Sequence, residues 1–406
     1  MKNVAIIGAG ASGLVCSITA ACRDVRVVLF DKNSFAGKKL LATGNGRCNY
    51  WNSDQSLSHY HSSEEDLLPN IITKSLENEV LDFFDLLGVV PMIKNGYYYP
   101  YSNQASSIRD LLEKEALRRD VVFAFDTEVL DVVLEEGKFV IVERDGREYF
   151  DDLVIATGSK ASPKTGSTGF GYQIAEKFHH PIVPVRPSLV QLQCHGSFLK
   201  NWAGVRCQCL VSLFQDDVFL SSQEGEIQLT DYGVSGICVF NLSRYASIGL
   251  SQGKKISLKV NFLPFLDMNI LDWLTSRGEQ LPDYSMDLFL EGVLPSKLIS
   301  VILSCCGISS KAVFTSLSLG EKKKLSLMLV SFPLEVSGTK DFSSSQVCSG
   351  GVALSSVSSD LESKIVPRLY FTGEVLDVDG DCGGYNLGFS WMSGILVGKK
   401  IRGDLS

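Results

Sequence analysis

Apolar residues fall along this chain in alternating textures. Asn3-Val-Ala-Ile-Ile7 is an unbroken apolar run that predicts a strand buried on both faces, residues 12–22 predict a helix of small and apolar side chains, and Val25-Arg-Val-Val-Leu-Phe30 predicts a second buried strand. Together they form one β-α-β unit of about thirty residues. A long aperiodic connection follows, from Asn33 to Ser63. Helical spacing covers about 64–87 and 104–119. Alternation at 121–125, 128–135, 138–143 and 147–150 predicts a small antiparallel insertion, and 152–156 another buried strand. Beyond Pro181 the pattern shortens to strands at 189–193, 208–214, 218–220, 227–230 and 256–261. Helical spacing takes over from about 266 to 332. Strand signals return near 334–336 and 347–354, residues 366–372 predict a last buried strand, and 384–401 a closing helix.

Composition narrows the classes. Of 406 residues 45% are hydrophobic and 21% charged, a balance that buries a sizeable core and argues against disorder. The formal net charge of −8 is a poor match for nucleic acid or an anionic membrane surface. The tight basic cluster, Lys322-Lys323-Lys324, reads as a solvated helix face. Glycines interrupt the apolar N-terminus, no small-residue cleavage site follows, and no apolar run reaches the roughly 18 residues of a membrane span. A cytoplasmic protein is expected. Eleven cysteines at irregular spacing do not make a disulfide framework. Cys207-x-Cys209, Cys305-Cys306, His59 and His61 lack metal-ligand spacing, so no metal is expected. His179 and His180, beside Pro181, read as surface residues.

Chemistry concentrates where strands end. Gly8-Ala9-Gly10-Ala11-Ser12-Gly13 follows the first strand and opens a helix, and Asp31 lies eighteen residues beyond Gly13 at the tip of the second strand, with Lys32 next. The glycines permit a tight turn and close approach of backbone to a pyrophosphate, with Gly10 as the position where a side chain would both fill that space and strain the turn. The helix N-terminus offers N–H groups to the phosphates, and Asp31 suits a bidentate contact to ribose hydroxyls. This unit alone fits NAD as well as FAD. The C-terminal strand and helix argue for flavin: an acid such as Glu374 or Asp377 suits ribityl hydroxyls, and a helix starting at Gly384–Leu387 suits the N1–C2=O edge of a reduced flavin. Ala156-Thr157-Gly158 closes another strand of the same domain. The Ser/Thr/Gly-rich segment after it lacks the strand, glycine turn, helix and acid of a separate nicotinamide fold.

Two long stretches carry a resemblance. Gly37-Lys-Lys-Leu-Leu-Ala-Thr-Gly-Asn-Gly-Arg-Cys-Asn49 and Gly373-Glu-Val-Leu-Asp-Val-Asp-Gly-Asp-Cys-Gly-Gly-Tyr-Asn-Leu387 closely resemble signatures of a flavoprotein family named as NAD(P)/FAD-dependent oxidoreductases, aminoacetone-oxidase-like enzymes or bile-acid dehydro-intermediate reductases. Pro163 to Gly169 and Leu229 to Gly236 are also similar to family segments. The resemblance implies an α/β fold: an FAD-binding Rossmann-like two-dinucleotide-binding domain with an inserted β-barrel-like domain and a helical subdomain. The expected boundaries are 1–185 with 355–406, 186–264 with 333–354, and 265–332. It implies that Lys39, Gly44, Asn45, Arg47, Cys48 and Asn49 lie along the flavin and that Val129 meets adenine through its backbone. Gly373, Glu374, Asp379, Gly384, Asn386 and Leu387 would then line the ribityl and ring side. The chain departs from the family in carrying Asp231 where His is common, and Gly388-Phe389-Ser390-Trp391 after Asn-Leu.

The expected activity is FAD-dependent redox chemistry on a small or medium organic substrate held between the flavin and the central domains. Reduction of an activated C=C bond with NAD(P)H as transient donor is favoured over an amine oxidase using oxygen and over a non-catalytic flavin-binding or RNA-associated scaffold. Tyr232 is a candidate general acid, since a phenol can protonate a carbanion or enolate. Cys48 reads either as a redox thiol or as a packing and flavin-contact residue, and without a cysteine partner nearby the second reading is preferred.

Overall fold

Five parallel strands form the core sheet, in the order Leu369–Phe371, Asp152–Ile155, Lys2–Ile7, Val25–Phe30, Val122–Ala124. The central position of Lys2–Ile7 explains its unbroken apolar run: Val4, Ala5 and Ile6 are fully covered by layers on both faces. The Val4 and Ile6 side chains each contribute about 1.5–3 kcal/mol by leaving water. This computed structural model describes residues 1–403. The sheet belongs to a compact unit made of residues 1–186 and the chain from 346 onward, and Pro187–Ser345 forms a second unit. The fold is Rossmann-like α/β, with a barrel and a helical region in the second unit.

Helix Ala11–Ala20 packs closely on the closing helix Tyr385–Gly403. Gly394 and Gly398, one turn apart, make the approach possible. A Cβ at Gly394 would stand 2.6 Å from Ser12 O, and one at Gly398 2.6 Å from Thr19 Cβ. The antiparallel insertion has three strands, Asp131–Glu135, Lys138–Val142 and Arg147–Phe150, where four are predicted. The missing one, Val122–Ala124, pairs in parallel with Val25–Phe30 as an edge of the main sheet. A hairpin of Pro91–Lys94 and Tyr97–Pro100, absent from the sequence reading, adds Trp51–Asn52 as a third strand. His180 is a correction: it is only 3% exposed, with Nδ1 3.1 Å from Ser356 Oγ, Nε2 2.9 Å from Ser363 Oγ and its ring edge-on to Phe371. Burial pushes its pKa down to about 4.

In the second unit six strands close a barrel: Leu192–Cys194, Gly233–Ser235, Val218–Leu229, Arg206–Gln215, Ile256–Asn261 and Phe332–Thr339. Alternate residues Cys209, Val211 and Leu213 are buried, as the period of two requires. The predicted strands 218–220 and 227–230 are the two ends of one long strand. Helix Ile237–Ser251 fills the stretch between the predicted strands 227–230 and 256–261, where no element is predicted, its buried Cys238, Val239, Leu242 and Ala246 recurring at helical spacing. Four helices between 270 and 330 follow, with Phe289 stacked on Phe314 at 5.2 Å. The lysine cluster there is more than a solvated face. Lys324 Nζ donates to Cys306 O at the end of helix Ser296–Cys306, and Lys322 covers the Phe314 ring.

Candidate functional site

The three glycines of the first turn do different work. Gly8 has φ +109°, and a Cβ there would run into the Ala156 carbonyl; one at Gly13 would run into the carbonyl of Gly8. These two glycines close the turn onto Ala156-Thr157-Gly158. A Cβ at Gly10 would meet nothing within 4 Å, and φ there is −82°, open to any residue. The strain expected at Gly10 is therefore absent, and its role is to leave room. Helix Ala11–Ala20 has no side-chain cap and no acid in its first turn, so its positive end is not neutralised from within. An open cradle at an uncapped helix N-terminus fits a pyrophosphate. Ser12 points elsewhere: its hydroxyl donates to Thr372 O and accepts from Thr372 Oγ1.

Asp31 is more heavily used than its position in the sequence suggests. Its Oδ2 accepts from Ala9 N–H, and its Oδ1 from both Asn33 N–H and the Asn33 amide, each at 2.8 Å. A carboxylate oxygen has about two acceptor directions. One direction on Oδ2 remains for a ribose hydroxyl, which is less than the two-oxygen contact predicted. Lys32 reaches Thr168 Oγ1 at 3.4 Å. Thr127 N–H donates to Asp31 O and Asp126 N–H to Asn33 O, which brings the loop carrying the buried Val129 to the end of the second strand.

The long connection and the C-terminal turn are tied by charge. Lys39 Nζ lies 2.6 Å from Glu374 Oε2, which also accepts from Ser159 Oγ at 3.1 Å. Glu374 is thus partly spent on holding the two loops together. Gly44 and Asn45 share a left-handed φ of 55°, and Arg47 Nε donates back to Gly44 O while its guanidinium covers Tyr99 at 5.4 Å. Cys48 is fully buried, and burial, opposed by a hydrogen bond from Thr43, pushes its thiol up to about 12. A shielded, protonated thiol is a packing residue and a poor redox one. The Asn49 amide nitrogen faces Tyr98 O at 3.1 Å and Trp51 O at 3.0 Å. Gly373, at φ +70°, gives its N–H to Ser393 Oγ. Asp377 is fully buried and accepts from Ser63 N–H at 2.8 Å and Ser62 Oγ at 3.2 Å, which makes it a loop anchor. Asp379 is buried beside it in a short pairing with His61. Asn386 staples the loop before its helix, accepting from Gly380 N–H and donating to Gly380 O, both at 2.8 Å. Gly384, at φ +97°, lies against the Trp51 carbonyl, and Leu387 is half-buried in the first helical turn.

One network has no signal in the sequence. His59 Nδ1 lies 3.0 Å from Asp381 Oδ2 and its Nε2 3.3 Å from Asp54 Oδ2, while His61 Nε2 meets Asp381 Oδ1 at 3.2 Å. His59 also stacks on Tyr385 at 4.5 Å. Asp381 stands more than 300 residues from both histidines, so spacing along the chain cannot reveal it. No group of three or more His, Cys, Asp or Glu among the described residues is placed to hold a metal ion. Nor is any described helix long and apolar enough to cross a membrane. Tyr232 belongs to the second unit, in the turn before Gly233–Ser235. Its carbonyl accepts from Cys194 N–H, and Lys340 Nζ lies 4.0 Å from its ring centroid.

Comparison with known proteins adds three findings. The sequence pattern of the HI0933-like protein Rossmann domain matches residues 2–400. The 3-dehydro-bile acid delta(4,6)-reductase of Clostridium scindens is 37% identical over 404 residues, 98% of each chain. The ribosomal RNA dihydrouridine synthase of Escherichia coli K12 is 30% identical over 392 residues, 96% of this chain and 95% of that one. A solved 3-ketosteroid delta1-dehydrogenase from Sterolibacterium denitrificans, 10% identical, matches over 100% of both chains with a TM-score of 0.50, a likeness of fold.

Proposed function

The chain belongs to the HI0933-like Rossmann family and is an FAD-dependent oxidoreductase, and from that premise we propose that it reduces a carbon–carbon double bond conjugated to a carbonyl, with NAD(P)H as donor. One observation carries the reading. Two relatives similar over nearly their whole length have names that describe different substrates and one kind of bond change. A 3-oxo bile acid with 4,6 unsaturation and the uracil ring of uridine both hold a C=C next to a C=O. Withdrawal of electrons by that carbonyl makes the far alkene carbon a hydride acceptor. FAD supplies the chemistry of taking up a hydride from a nicotinamide and passing it on.

The residues have proposed tasks. The cradle at Gly10 and the N–H groups of Ala11, Ser12 and Gly13 hold the pyrophosphate, Asp31 Oδ2 takes a ribose hydroxyl, and the Val129 backbone meets adenine. Lys39 to Asn49 and Gly373 to Leu387 flank the ribityl chain and ring, and the start of helix Tyr385–Gly403 stabilises negative charge at the N1–C2=O edge. Tyr232 supplies the proton. A steroid-like acid is preferred as substrate because the nearer relative acts on one and because a net charge of −8 opposes a polyanion. A uridine in RNA is the second reading, on the strength of the 30% identical relative.

Anaerobic stopped-flow separates the options. NADH or NADPH should bleach the flavin, and a 3-oxo-4-ene steroid acid should restore its colour while gaining two hydrogens. Bleaching by simple amines with neither nucleotide active would replace this reading with an amine oxidase.

A further inference from the structure

Strand Tyr97–Pro100 carries three tyrosines in a row, and strand geometry sends successive side chains to opposite faces. Tyr98 turns to the core, where it meets Tyr50 edge-on at 6.1 Å. Tyr97 and Tyr99 share the other face, where Arg47 covers the Tyr99 ring. The Tyr97 ring lies against Gly383, at which a Cβ would stand 2.7 Å from Tyr97 Cε1. Backbone pairing holds it there: Asn52 pairs with Tyr97, and the Asn52 amide donates to Gly383 O at 3.0 Å. Gly384 rests on the Trp51 carbonyl, and helix Tyr385–Gly403 begins directly after it. A half-buried phenol therefore stands beside the turn assigned above to the flavin ring. Its hydroxyl makes no hydrogen bond to any described residue. Burial foremost, then Cys382, Tyr99 and Asp381, raise it above the usual phenol range, so it keeps its hydrogen at neutral pH.

We propose that Tyr97 donates the hydrogen bond that polarises the carbonyl oxygen of the acceptor. The inference rests on the reaction proposed above. A hydride added to the carbon β to the carbonyl pushes an electron pair through the α carbon onto oxygen. The Tyr97 O–H stabilises that enolate oxygen and retains its own hydrogen. A proton taken up at the α carbon completes the step, so the substrate gains one hydride and one proton while the cofactor is reoxidised. A donor aimed where charge develops favours the transition state over the bound substrate.

The test compares wild type, Tyr97→Phe and Tyr99→Phe as flavin-loaded enzymes. The probes are 3-oxo-4-cholenoic acid and a short uridine-bearing RNA stem-loop. All three proteins should carry equal flavin. With the steroid, wild type and Tyr99→Phe should shift the enone absorption band to longer wavelength on binding to oxidised enzyme, the signature of a polarised carbonyl, and Tyr97→Phe should not. On whichever probe wild type reduces, Tyr97→Phe should lose kcat on the order of 100-fold with little change in KM. Full kcat in Tyr97→Phe, or a retained band shift, overturns this inference alone. A wild type that reduces neither probe overturns the proposed reaction and this inference with it.

Discussion

Gly10 and Gly13 stand three residues apart and predict opposite outcomes on substitution. Gly10→Val adds a side chain into open space at an ordinary φ, so the protein should fold with unchanged stability and lose its flavin. Gly13→Val drives a side chain into the Gly8 carbonyl and should cost at least about 1–3 kcal/mol of stability. Flavin absorbance per protein and denaturant unfolding, run on both variants, separate the two roles. Near-stoichiometric FAD in Gly10→Val would remove the cradle assignment. His180 gives a pH prediction. Its folded pKa of about 4 lies below the ordinary 6.5, so the neutral ring is the one that fits. Its contribution is complete above about 6.5 and is lost as pH falls from there toward 4, up to roughly 3 kcal/mol in all. His180→Gln should flatten that acid limb in unfolding measured across pH 4–7. The reading of His180 as a surface residue followed its local setting, beside Pro181 at a helix end; its burial comes from Ser356, Ser363 and Phe371, nearly two hundred residues away.

At the scale of elements, prediction works where one element satisfies its own pattern. Strand Val25–Phe30 appears with the expected bounds because its apolar run needs burial wherever the chain goes. Helix Ile237–Ser251 carries no decisive pattern of its own, because its buried face is defined only by the barrel strands it packs on. Val122–Ala124 reads from sequence as part of the neighbouring insertion because three residues hold no information on which partner they pair with. The contact of helices Ala11–Ala20 and Tyr385–Gly403 depends on small residues, so Gly398→Leu should destabilise the first unit and release flavin together with unfolding. Calorimetry with simultaneous flavin fluorescence would show one transition. Lys39 and Glu374 join two loops through a partly buried ion pair. A double-mutant cycle with Lys39→Met and Glu374→Gln, read as flavin dissociation constant, should give a coupling of about 1 kcal/mol; additive effects would mean the pair does not shape the cofactor site.

For the whole molecule, the arrangement of strands bears on how electrons arrive. Asp152–Ile155, with the Ser/Thr/Gly-rich segment after it, lies in the same sheet as Lys2–Ile7 and so serves as a second crossing of one nucleotide fold. If NAD(P)H is the donor, as proposed, it has no nucleotide fold of its own here and is expected to take turns with the acceptor. Initial-rate plots against donor concentration should give parallel lines, and enzyme reduced by one equivalent of donor and freed of nucleotide should still turn over acceptor once. Intersecting lines with a trappable ternary complex would require a second nucleotide site.

Whatever depends on a residue and its near neighbours was written in the sequence. The turn from Gly8 to Gly13, the acid at 31, the buried strands and the two glycine-rich signatures are local patterns, and local sterics and burial demand them in any fold of this class. Tertiary structure decided how those groups are spent. Asp31 has one acceptor direction left because Ala9 and Asn33 take the others, and Glu374 is tied to Lys39 and Ser159. Asp381 joins His59 and His61, and Tyr97 reaches Gly383, only once the ends of the chain meet. A hydrogen-bonding group carries its valence in its identity, but the partner that fills it is chosen by the fold, from residues that can be hundreds of positions away.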